Sequence, residues 1–96
     1  MRLRPNRSLL DAVVLRQRRD ADGLGAQLQL EVLRCEAMPP AQDFIGAAPG
    51  DTLEVYSAVP EAQLPGQHLR LEAEVLGGPQ GERIVVVRSQ PLPPVA

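Results

Sequence analysis

"DAVVLRQRRDADGLGAQLQLEVLRC", residues 11–35, places two alternating apolar runs on either side of a turn rich in aspartate and glycine, with Arg16, Arg18 and Arg19 gathered beside the turn. In residues 27–33, Leu28, Leu30 and Val32 share one face while Gln27, Gln29 and Glu31 share the other, the period-2 pattern of a half-buried strand. Pairing Arg19 with Ala26 sets Leu15 opposite Leu30, Val13 opposite Val32 and Asp11 opposite Arg34 on one face. The other face then pairs Arg18 with Gln27 and Arg16 with Gln29, with Glu31 diagonal to Arg16. Toward the base, Leu10, Ala12, Val14, Leu33 and Cys35 make this second face apolar too. The stretch therefore predicts a long β-hairpin, buried on both sides at its base and polar at its tip, with Val13 and Leu15 turned inward.

The same alternation recurs downstream. "TLEVYS" (52–57) turns Leu53 and Val55 inward, and "HLRLEAEVL" (68–76) turns Leu69, Leu71, Ala73 and Val75 inward. "RIVVVRS" (83–89) is apolar on both faces, as at a barrel closure, with Ile84 and Val86 assigned to the core. Residues 77–81, with three glycines and a proline, read as a flexible link between the fourth and fifth strands. "EAMPPAQDFIGAAPGD" (36–51) suggests one short helical turn around Phe44 and Ile45, capped by Gly50 and plugging one end of the core. "SAVPEAQLPGQ" (57–67) carries two prolines and reads as an ordered loop. The expected organisation is a flexible basic arm over residues 1–7, a single β-barrel domain over 8–90 and a proline-rich extended tail over 91–96.

Five strands in this order, with a long first hairpin and a glycine-rich last one, resemble the OB-fold, a five-stranded Greek-key barrel. The resemblance rests on "LLDAVVLRQRRDADGLGAQLQLEV" and "LPGQHLRLEAEVLGGPQGERIVVVRS". The chain departs from it where that fold usually has a helix, between the third and fourth strands, because Pro60 and Pro65 stand there. The resemblance implies a ligand face over Gln27, Gln29, Glu31, Thr52, Glu54 and Tyr56, flanked by the loops 20–25 and 77–82.

Composition narrows the chemistry. Ninety-six residues suit one small domain. Its only aromatics are Phe44 and Tyr56, so aliphatic side chains must build the core. Cys35 is the only cysteine, which excludes an intrachain disulfide and leaves it as a small buried hydrophobe. There is no lysine, hence no phosphate loop of the GxxxxGK type and no Schiff-base chemistry. A metal site would have to rest on acids with the single His68, and no serine sits in a nucleophile elbow. Glu72 and Glu74 share a strand face, as solvated acids commonly do. The chain is expected to have no catalytic residues, no metal and no cofactor. No apolar run reaches the roughly 20 residues of a membrane span, so a cytoplasmic, bacterial protein without membrane contact is expected.

Binding is the remaining class. The net charge is −2, yet residues 1–19 hold six arginines against Asp11, setting a basic segment on an acidic body. The candidate surface comprises Arg16, Arg18, Arg19, Gln27, Gln29, Glu31, Glu54, Tyr56 and Arg83. Single-strand nucleic-acid binding needs basic grooves with stacked aromatics, and this face offers one tyrosine between acids, with Asp20 and Asp22 beside the arginines. The sequence favours a protein-interaction module, monomeric or weakly dimeric or a subunit of a larger assembly, over a single-stranded nucleic-acid binder acting through the arginine-rich hairpin.

Overall fold

The computed structural model describes residues 6–21, 23–59, 63–79 and 81–92, which fold into five strands: β1 (Ser8–Arg19), β2 (Ala26–Ala37), β3 (Thr52–Ser57), β4 (His68–Gly78) and β5 (Gly81–Pro91). They close into a barrel in the order β1-β2-β3-β5-β4, with β1 paired antiparallel to both β2 and β4. A parallel contact, Tyr56 with Val85, joins β3 to β5. This five-stranded closed barrel is consistent with an OB-like architecture.

The first hairpin combines the expected register with an unexpected interior. Arg19 pairs with Ala26, Arg18 with Gln27, Arg16 with Gln29 and, lower down, Asp11 with Arg34. Between these anchors lie two β-bulges, one adding Leu15 to β1 and one adding Leu33 to β2. Each extra residue rotates the strand that follows it, so Val14 now faces Leu30 and Ala12 faces Val32. Leu10, Ala12 and Val14 are thus buried, whereas Leu15 is 41% exposed and Val13 only half-buried. The expectation that Val13 and Leu15 point inward is corrected accordingly. A third bulge adds Val87 to β5, and it too leaves its apolar residue outside, 48% exposed. Bulges bend strands, and a barrel this small needs corners.

The core is aliphatic. Leu28, Leu30, Val32, Val55, Leu69, Leu71 and Ala73 join the β1 trio, with Leu53, Ile84 and Val86 packed against them. Val75 is also buried. Leu69, Leu71, Ala73 and Val75 alternate with Arg70, Glu72 and Glu74, the pattern their sequence predicts.

No helix occurs among the described residues, so the helical turn expected near Phe44 is absent. The Asp43 carboxylate accepts hydrogen bonds from the backbone amides of Ile45 (2.9 Å) and Gly46 (3.2 Å), as a helix N-cap would, but the left-handed backbone at Gly46 stops a helical turn from following. Gly46 adopts φ +63°, and Ile45 and Ala47 still pack on the core. Phe44 itself stays 38% exposed.

The other barrel end is closed by a polar plug. Gln63, fully buried, accepts a hydrogen bond from Ser57 Oγ (2.7 Å) and donates one to Ser89 Oγ (2.7 Å). Gln17 Nε2 donates to its backbone carbonyl at 2.8 Å. A loop interrupted by prolines cannot supply a helix here, and one amide that both donates and accepts fills the space instead.

The link between β4 and β5 is tighter than expected. Pairing continues to Gly78 with Gly81, leaving two residues for the turn, and Gly81 takes φ +107°. Residues 1–5 of the expected arm and 93–96 of the expected tail lie outside the described residues. Asn6 and Arg7 are tied to β4. The Asn6 amide exchanges two hydrogen bonds with the Val75 backbone, and Arg7 reaches Glu72 (3.0 Å) and Glu74 (2.7 Å).

Candidate functional site

The outward residues of β2 and β3 alternate with the core, and the tip of β1 adds a third row to the same face. Register aligns Arg18 with Gln27 and Tyr56, and Arg16 with Gln29 and Glu54, while Glu31 lies beside Thr52. Arg83 enters from β5 with its guanidinium 4.3 Å from the centre of the Tyr56 ring. Eight of the nine candidate residues therefore share one face. Arg19 does not join them: it follows the parity of Ala26 and Gln17, and it donates to the Gly23 carbonyl at 3.2 Å, fastening the turn.

Two grooves meet at Arg83. One, of about 320 Å³, lies over Gln27, Glu54, Tyr56, Glu82 and Arg83. The other, of about 530 Å³, runs between the β1–β2 turn at Asp20 and Ala21 and the β4–β5 hairpin at Leu76, Gly77, Gly78 and Pro79. Both contact Gln27, Glu82 and Arg83, so together they form one cleft between the two hairpin tips.

The residue that organises this cleft is Asp20. Its side chain is only 6% exposed, and one oxygen accepts from Arg83 at 2.6 Å and from Gln27 at 3.0 Å. Arg83 is thus held on both sides, by a carboxylate and by the negative face of the tyrosine ring. The Asp20 oxygen is engaged by β5 and β2. Asp22 lies outside the described residues. Arg18 is instead met by Gln27 (2.7 Å) and, at 3.8 Å, by Glu54.

Gly25 completes the seat of Tyr56. A Cβ built on Gly25 would overlap the Ser57 carbonyl and the tyrosine ring well inside van der Waals contact. Only glycine lets the turn approach β3 so closely. The sequence placed Asp20 beside the tip arginines without marking it as the organiser of a cleft, and it did not single out Gly25, since a "DADGLG" run signals a turn and nothing more.

Ser8, Cys35, Asp43, Glu72 and Glu74 are structurally engaged. Ser8, fully buried, donates to Asp43, and Cys35 Sγ lies 3.6 Å from the same carboxylate. Burial alone would raise the Asp43 pKa, but hydrogen bonds from Ser8, the Gly46 and Ile45 amides and Cys35 hold it below the ordinary carboxylate range. Burial raises the Cys35 thiol, reinforced by the Asp43 charge, so the group stays protonated and poorly nucleophilic. Cys35 is half-buried against a carboxylate, which corrects its reading as a simple hydrophobe. Arg7 occupies the Glu72 and Glu74 carboxylates. Among the described residues no group of three or more His, Cys, Asp and Glu side chains is arranged to hold a metal ion. Among the described residues no helix is long and apolar enough to cross a membrane.

Comparison of the chain with protein-family models, curated proteins and solved structures returned no match.

Proposed function

We propose that this chain is a non-enzymatic binding module that docks another protein through the cleft between its hairpin tips, as a subunit or adaptor of a larger assembly. The observation that carries this reading is the state of Tyr56. A face that stacks bases needs open rings, each contributing about 1 to 3 kcal/mol per base. Here the face has one ring, covered by Arg83, and Arg83 is fixed by Asp20. Glu31, Glu54 and Glu82 are exposed around it and would repel phosphates. Mixed charge, a partly covered tyrosine and a glycine-flanked groove suit a polar protein interface.

One observation favours the second reading, a single-stranded nucleic-acid binder. The Arg16 guanidinium makes no ion pair among the described residues and shares its face with Arg18 and Arg83. The test uses a photo-crosslinking residue at Glu54 and, as a control, at Arg88 on β5 outside the cleft, in the native cell. A discrete protein adduct from position 54 and none from position 88 supports docking. Fluorescent single-stranded DNA or RNA bound at micromolar or tighter affinity in physiological salt, with that binding lost in an Arg16, Arg18, Arg83→Ala variant, refutes it in favour of the nucleic-acid reading.

A further inference from the structure

The barrel is closed at the cleft end, but β2 outruns its partner at the other. β3 pairs with β2 only from Ala26 to Glu31. Above that point the backbone of Val32 is still engaged on the same edge, donating to Asp51 (2.8 Å) and accepting from Gly50 (2.7 Å). From Leu33 to Ala37, β2 pairs with β1 on one side, and no described strand pairs with its other side. Such an edge carries unpaired N–H and C=O groups along about five residues.

The charges on this edge have a particular order. Across the outer surface, Arg34, Asp11 and Arg70 fall in one register row, with Arg70 binding Asp11 through two contacts of 2.9 and 3.1 Å. Arg34 ends that row at the open edge. Two residues along the strand, on the same face, Glu36 binds Arg34 at 2.7 Å. The edge therefore presents one cation and one anion, symmetric about Cys35.

A strand with this spacing is complementary to itself. If two copies pair antiparallel about Cys35, each Arg34 lies opposite the other copy's Glu36, and the four charges alternate in sign around a square. Directly opposite, unlike charges stabilise an antiparallel pair and like charges oppose it. The row Arg70, Asp11, Arg34 then gains a fourth member of alternating sign, Glu36 of the other copy, and the open backbone edges satisfy each other.

We infer that the Leu33–Ala37 edge of β2 is a homodimerisation surface, on which a second copy of this chain adds antiparallel about Cys35. The bulged Leu33, 39% exposed, lies within the paired segment opposite Ala37 of the other copy. Pairing at this end of β2 leaves Gln27, Tyr56 and the cleft at the opposite end free in both copies. A five-residue strand pair makes a small interface, so the dimer is weak, with a dissociation constant on the order of 100 µM.

The test is sedimentation velocity from 10 µM to about 1 mM on the parent, on Arg34→Glu, on Glu36→Arg, on the doubly exchanged chain and on an equimolar mixture of the two single variants. Each single reversal should weaken self-association about tenfold, because it sets like charges opposite each other. The mixture should associate at least as well as the parent, since every opposed pair is again unlike, and the double exchange should recover parental behaviour. Far-UV spectra establish that each variant is folded. If the reversed charges unfold the single variants, the neutral changes Arg34→Gln and Glu36→Gln replace the reversals and should each weaken the dimer about threefold. A parent that remains monomeric at 1 mM overturns the inference and leaves the edge to a strand of another protein. So does association unaffected by the single changes, or a mixture no more associated than its components.

Discussion

Replacing Gln63 by leucine should expose how much the polar plug contributes. The two side chains are close in volume, so the change removes hydrogen bonding with little cavity. Ser57, fully buried, loses the acceptor for its hydroxyl, although it still accepts from the Val59 amide at 3.3 Å. Ser89 loses a donor but is only half-buried, and water can replace it. Two lost neutral hydrogen bonds at about 1 kcal/mol each, plus up to about 2 kcal/mol for the orphaned Ser57 donor, give a cost of about 2 to 4 kcal/mol. In a domain of this length each kcal/mol moves the Tm by about 4 to 8 °C, so the midpoint should fall by at least about 8 °C. Urea and thermal unfolding followed by far-UV circular dichroism measure it. The decisive comparison is Gln63→Leu with Ser57→Ala, which deletes the orphan as well and should regain about half of the loss. Gln63→Leu melting within two degrees or so of the parent would refute the reasoning, as would a double variant no more stable than the single one.

Leu71→Ala should cost about 2 to 5 kcal/mol, whereas Leu15→Ala, at an exposed bulge, should cost less than about 1 kcal/mol; equal losses in denaturant titrations would contradict the bulge assignment. Gly25→Ala should displace Tyr56 as well as destabilise the fold. Because Tyr56 is the only tyrosine and the chain has no tryptophan, its fluorescence reports that displacement directly, and an unchanged spectrum would show that the turn can yield. The hydrogen bond and charge of Arg70 hold the Asp11 pKa below its ordinary 3.8, which makes the stability it contributes complete above that value and lost as pH falls through the lower, folded value. Asp11→Asn should therefore flatten the acid limb of the stability curve below about pH 5, and an unaltered limb would show that the pair contributes nothing.

Much of this architecture was legible because strand alternation reports burial directly. β2, β3 and β4 place every predicted inward residue in or against the core, and Arg19 with Ala26 anchors the first hairpin as expected. β1 misled for a specific reason. Leu15 and Leu33 each add one residue to opposite strands, so the hairpin keeps equal lengths between its anchors while its interior changes parity. A run such as "AVVL" is apolar at every position, and no alternation betrays the slip. The helical turn failed because the backbone turns left-handed at Gly46, three residues past Asp43, a local choice that periodicity does not register. The cleft was visible in its strand residues, Gln27, Glu54 and Tyr56, and in Arg83. Its organiser was not, since Asp20 meets Arg83 across 63 positions of chain and only the closed barrel brings them together.

The seam that closes the barrel has a mechanical consequence. β3 and β5 share a single registered pair, Tyr56 with Val85, whereas β1 and β4 share six and β4 and β5 ten. Local opening free energy follows the number of interactions broken, so this junction should unzip long before the rest of the sheet. Two walls of the cleft stand on either side of it, Tyr56 on β3 and Arg83 on β5. Unzipping widens the cleft while both hairpins stay intact. Amide hydrogen exchange should accordingly show Tyr56 exchanging through low-energy openings while Leu30 and Leu71 exchange only with global unfolding. Occupancy of the cleft should slow Tyr56 and leave Leu30 and Leu71 unchanged.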